Sequence, residues 1–184
     1  MKIVNTFLKI VIGLVISFYL VMYAATPIQG ATDLEPRQRT ILENNIIIHS
    51  KVAEIIEARK AEELRYMSSI IFAEAGNQCE AGQQAVGIIV MNRVRYEDYF
   101  EDDIISVIYE DGQFTPVDNG MLDTALEMYD EGILPASCIE AAVYAIEGNT
   151  IVNYNDKEYD LQDYLFFSRY IKNRKLIIED HQFK

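Results

Sequence analysis

The sequence predicts a helix-rich α+β domain with a small C-terminal β-sheet, preceded by an N-terminal membrane segment. Three observations carry that reading. Apolar residues recur at helical spacing between residues 33 and 146, β-branched and aromatic clusters characteristic of strands come only after that, and the first thirty residues hold two lysines and no acid. The chain has 184 residues, 50% of them hydrophobic and 24% charged, which fits one core-forming domain and argues against disorder or a multi-span membrane protein.

In the N-terminal part, Lys2 and Lys9 precede an uncharged run from Ile10 to Gly30 rich in Val, Ile, Leu, Phe and Tyr. A bilayer-spanning helix takes about 20 apolar residues and a signal-peptide core about 7–15. Ala24, Ala25 and Ala31 are small, but in each case the residue three before a cut is large, so residues 1–31 read as an uncleaved anchor in preference to a cleaved signal peptide. In both cases the remainder is exported and the lysines stay inside. The protein is then membrane-anchored facing the outside, or secreted. Two of the 16 basic residues and none of the 29 acidic ones fall in the first thirty, so the exported part carries a net charge of −15. That acidity argues against nucleic acid as a partner, because no basic stripe is available to neutralise phosphates. Cys79 and Cys138 are the only cysteines, and they read equally as a pair or as two thiols.

Residues 32–61 form a helical stalk or spacer: Ile41, Leu42, Ile46, Ile48, Val52, Ile55 and Ile56 make an apolar stripe, but a heptad fails at Asn45 and Arg59. The domain proper covers residues 62–184. Leu64, Met67, Ile70 and Ile71 continue at helical spacing to a stop at Gly76-Asn77, and a second helix follows over 80–95 with Ala85, Ile88, Ile89 and Met91 for burial. Ile104, Ile105, Val107 and Ile108 predict a short third helix closed by Asp111-Gly112, and 121–129 and 138–146 predict two more. Strands are expected over 150–154, 164–167 and 175–178.

The residue inventory narrows the chemistry. Histidine occurs only at 49 and 181, too few for the usual zinc hydrolase sets, and no Gly-rich phosphate loop, dinucleotide fingerprint or Gly-x-Ser-x-Gly is present. No cofactor and no metal is expected. Cys79 at the start of the second helix, paired with His181, would suit a thiol hydrolase, with a packed or paired cysteine as the simpler reading. Glu74 is the strongest candidate. It closes an apolar helix in the run Ile70-Ile71-Phe72-Ala73-Glu74-Ala75-Gly76, where apolar neighbours and the negative helix end both oppose its ionisation. A raised pKa is what a general acid needs near neutral pH, although position alone also suits an ordinary exposed helix-end residue. Glu110, Asp111 and Asp118 are the available second carboxylates for a two-carboxylate glycosidase.

Phe72-Ala73-Glu74-Ala75-Gly76, Gly82-Gln83-Gln84-Ala85-Val86 and Val90-Met91-Asn92-Arg93-Val94 together resemble the SleB-type, spore-cortex-lytic cell-wall hydrolases. The pattern continues in Val107-Ile108-Tyr109, Gly112-Gln113-Phe114-Thr115, Leu165-Phe166-Phe167 and His181-Gln182-Phe183, so the resemblance covers residues 67–184 in order. It implies a lysozyme-like, lytic-transglycosylase-type domain acting on peptidoglycan glycan strands between N-acetylmuramic acid and N-acetylglucosamine. It also implies Glu74 as catalytic acid/base. Gln113, Phe114 and Gln83 would bind substrate, while Asn92, Arg93 and His181 would brace the fold. An internal attack by the muramyl 6-hydroxyl makes a second carboxylate dispensable. The chain departs from the family pattern at Gly76, at Cys79 and at Ser168-Arg169-Tyr170. An amide-cleaving enzyme using Cys79 and His181 and a non-catalytic wall-binding protein are the two other readings.

Overall fold

A computed structural model describes residues 35–96 and 98–184. The expected membrane segment, residues 1–31, lies outside the described residues. Among those described, no helix is long and apolar enough to cross a membrane. The chain divides into two units, Met1–Glu57 and Ala58–Lys184. Helix α1 spans Pro36–Ala75, the expected spacer helix and first domain helix being one element. Nothing between residues 36 and 75 interrupts it, since the sequence has neither Gly nor interior Pro there. Within the first unit the apolar stripe is exposed, Ile55 most of all at 66%.

The second unit is built around helix α2, Glu80–Arg95. Ala81, Ala85, Val86, Ile88, Ile89 and Val90 are all buried, and so are the polar Gln83, Asn92 and Arg93, so α2 packs against neighbours on most of its circumference. On one side lie the end of α1, α3 (Ile104–Tyr109), α5 (Met121–Asp130) and α6 (Ala136–Ile146), which share a core of Ile70, Ile71, Val90, Ile108, Leu122 and Ala142. On the other, Ile88 and Ile89 pack with Val152, Ile178 and Phe183 from the C-terminal strands and with Leu161 from the segment after them in the first hairpin. Gly87 permits a close approach of α2 to α6 and α1: a Cβ there would sit 2.9 Å from Ala145 Cβ and 3.0 Å from Ile71 Cδ1. Where α3 begins, Asp103 caps it by accepting from the Ile105 and Ser106 N–H groups at 3.0 Å each.

Thr115–Asp118 forms a one-turn helix, α4, that the periodicity does not announce. The strands form two sheets where one was expected. In the first, β1 (Ile151–Tyr154) and β2 (Lys157–Asp160) pair antiparallel with Ile151 opposite Asp160. Their two-residue turn, Asn155-Asp156, has φ of 51° and 61°, values that Asn and Asp tolerate better than other side chains. In the second, β5 (His181–Phe183) lies between β3 (Phe167–Ser168) and β4 (Leu176–Ile178). The strand expected over 164–167 is therefore shifted, and both β2 and β5 are additional to the sequence expectation.

Candidate active site

Glu74 projects from the last turn of α1 into a cleft of about 1010 Å³. The segment 166–172 with Asp180 and His181 forms a wall of it, and Gly112, Gln113, Thr115, Pro116 and Asn119 also line it. Glu74 is half-buried, and burial raises its pKa from the ordinary 4.5 to about 7; the charges of Arg93 and Arg169 oppose that rise and only partly offset it. No described residue hydrogen-bonds or ion-pairs with its carboxyl. A carboxyl with this pKa is about half protonated near neutral pH and can release that proton to a substrate oxygen.

The helix that carries Glu74 is held where it ends. Gly76 N–H donates to Phe72 O at 2.9 Å, and Gln78 N–H to Ala75 O at 3.0 Å. The Gln83 Nε2 donates to Gly76 O at 3.5 Å and Gln78 O at 3.3 Å. Gln83 is buried and stands behind the cleft wall, because these two carbonyls draw its amide inward. Phe114 is likewise buried behind the wall, its ring packed 5.0 Å under the Arg93 guanidinium, whereas Gln113 beside it lines the cleft.

Arg93 is buried on α2, enclosed by Phe100, Phe114 and Phe166 at 5.0–5.6 Å from its guanidinium carbon, and its Nε donates to Leu165 O at 2.9 Å. Burial pushes its pKa down to about 10 against the attraction of Glu110 and Glu74, so it stays cationic. Asn92 next to it donates to Leu161 O at 2.6 Å and Tyr164 O at 2.8 Å. Together the two side chains tie α2 to the strand connection that leads into the cleft wall. His181 is buried on β5, 4.9 Å from the Phe167 ring, and shares a 3.2 Å hydrogen bond between its Nδ1 and Gln78 Nε2. Burial lowers its pKa, leaving it neutral.

Cys79 and Cys138 are both free thiols. Cys79 lies outside the cleft lining, and its backbone N–H, at the start of α2, donates to the Glu179 carboxylate at 2.6 Å. Glu110, Asp111 and Asp118 also lie outside the lining; the second carboxylate in the cleft is Asp180. It sits in the two-residue turn between β4 and β5, a hairpin too short for a sequence pattern to mark. Among the described residues, no group of three His, Cys, Asp or Glu side chains is arranged to hold a metal ion.

A carboxyl that can hold and release a proton at a cleft is the chemical requirement of general acid–base catalysis. Residues 77–184, more than half of the chain, match the model of the Cell Wall Hydrolase family, and the chain belongs to that family of enzymes acting on peptidoglycan. Glu74 lies just before the matched segment. In fold the chain is similar to the catalytic domain of the Bacillus cereus SleB protein, with a TM-score of 0.50 and 21% identity over 66% of this chain and 88% of that one. It is also similar to the catalytic domain of the germination-specific lytic transglycosylase SleB from Bacillus anthracis (TM-score 0.48, 21% identity, 66% of this chain and 92% of that one). No match is found among curated proteins.

Proposed function

We propose that this enzyme cleaves the glycan strand between N-acetylmuramic acid and N-acetylglucosamine as a lytic transglycosylase, with Glu74 as general acid and then general base. The observation that carries the reading is the Glu74 carboxyl itself, raised to about 7 by burial and free of partners in the cleft. In its protonated form it gives its proton to the glycosidic oxygen as the bond to the anomeric carbon breaks. The carboxylate then accepts the proton of the muramyl 6-hydroxyl, whose oxygen bonds to the anomeric carbon and leaves a 1,6-anhydro end. Gln113, on the lining, contacts the sugar. Gln83 and Phe114 act through what they hold, the end of the Glu74 helix and the Arg93 guanidinium. Residues 1–31 would anchor the enzyme so that the cleft faces the wall.

The test is mass spectrometry of the soluble muropeptides that the full chain releases from purified peptidoglycan, beside Glu74→Gln. Anhydro-muramyl products that drop about 10²–10⁴-fold in the variant are expected for a lost general acid. Reducing ends instead would mean attack by water and would turn attention to Asp180 as its base. Peptide-bond products only, or undiminished activity in the variant, would overturn the reading.

A further inference from the structure

The chain carries a net charge of −13, yet the cleft reverses that sign. Against Glu74 and Asp180 it presents Arg93, Arg169, Lys172 and Lys184. Arg93 is committed to Leu165 and its three rings. Arg169 and Lys172 are different: both are exposed, and neither makes a side-chain hydrogen bond or ion pair with a described residue, although acids outnumber bases 29 to 16. Arg169 acts electrostatically on both Glu74 and His181, so its charge is directed into the cleft. The backbone that carries the two cations is held in place. Ser168 pairs with Gln182, Tyr170 N–H donates to Ser168 Oγ at 3.5 Å, and Ile171 N–H to Gln182 Oε1 at 3.1 Å. Between the cations stands Tyr170, 77% exposed, an aromatic plate of the kind that the C–H face of a pyranose ring covers.

Resting on the glycan-cleaving reading above, we propose that Arg169 and Lys172 form a carboxylate-binding subsite on the cleft wall, so that the strand cleaved here bears ionised carboxylates beside the scissile bond. The lactyl group of a muramyl unit offers such a charge directly when free, or through a stem peptide when amidated to one; closed to a lactam, it is neutral and offers the two cations nothing. In an acidic protein that repels an anionic polymer elsewhere on its surface, two cations inside the cleft also direct the strand to the right place.

The experiment measures binding of soluble peptidoglycan fragments by calorimetry on the full-length Glu74→Gln variant, which reads the subsite without turnover. Three fragment preparations are compared: intact, carboxyl-amidated with methylamine through carbodiimide, and stripped of stem peptides by an amidase. Glu74→Gln should bind intact fragments about tenfold more tightly than amidated ones, the worth of one charge-assisted contact. Adding Arg169→Gln and Lys172→Gln should erase that difference. Stripped fragments, which expose the lactyl carboxylate, show that it fills the subsite if they bind as tightly as intact ones, and binding as weak as that of the amidated ones assigns the contact to the stem-peptide carboxylates; both sustain the subsite. Equal binding of intact and amidated fragments, or a preference unchanged in the triple variant, would overturn it. The wild-type enzyme is assayed on the same fragments in parallel. Binding that discriminates without product release would remove the glycan-cleaving reading and leave the subsite, and product release without discrimination would do the reverse.

Discussion

The Nε of Arg93 donates to the carbonyl oxygen of Leu165 at 2.9 Å, across 72 residues of sequence. Three aromatic rings surround the guanidinium, and the strand connection it holds leads directly to the cleft wall. A lysine cannot reproduce this arrangement, because a point charge on a flexible stem neither stacks as a plane nor reaches Leu165 with the same geometry. Arg93→Lys should therefore lose about 2–4 kcal/mol of stability, the scale for breaking a buried charged contact. Chemical denaturation of the two proteins checks this.

The raised pKa of Glu74 sets a pH limit on activity. The acid must hold its proton when the leaving oxygen departs, so kcat/KM should be level below about pH 7 and fall about tenfold per pH unit above it. Arg169 lowers the Glu74 pKa, so Arg169→Gln should move that limb to higher pH. A pH profile of muropeptide release from wild type and variant reads both effects.

The same carboxyl costs stability. Unfolded, Glu74 titrates near 4.5; folded, it holds its proton to about 7. The penalty for ionising it is absent below about pH 4.5, grows from there to about 7 and stays constant above. After discounting for partial exposure it is on the order of 2 kcal/mol. Glu74→Gln should thus melt above the wild type at pH 8 and close to it at pH 4, a comparison made by thermal unfolding at the two pH values.

Gly87 is a packing requirement. Its α-hydrogen faces Ala145 Cβ and Ile71 Cδ1, where an added methyl would lie 2.9 and 3.0 Å from carbon. Gly87→Ala should cost about 1–3 kcal/mol by overpacking, despite the better helix propensity of alanine, and lower Tm by roughly 2–12 °C. Differential scanning calorimetry gives the value.

What could be read from the sequence was what is local. The helices at 80–95, 104–109, 121–130 and 136–146 carry their own apolar spacing and stop residues, and Glu74 stands out because its apolar neighbours adjoin it in the chain. What could not be read depends on distant partners. Strand β2, Lys157–Asp160, is polar throughout except for one half-buried tyrosine and is a strand only because the Asn155-Asp156 turn folds it onto β1. Strand β5 is three residues long and exists through pairing on both edges. The place of Arg93 in the cleft lining needs Phe100, Phe114 and Phe166 from three separate segments, and Asp180 enters the cleft through a hairpin turn with no spacing of its own.

The position of β5 between two other strands makes the cleft depend on residues far apart in the chain. Gln78, just past the helix of Glu74, meets His181 across 103 residues, and β5 holds both β3 and β4 in register. A chain cut before residue 181 keeps Glu74 and the segment 166–172 but loses the middle strand of the sheet and, with His181, the partner of Gln78. The geometry around Glu74 thus depends on a strand more than a hundred residues further along the chain.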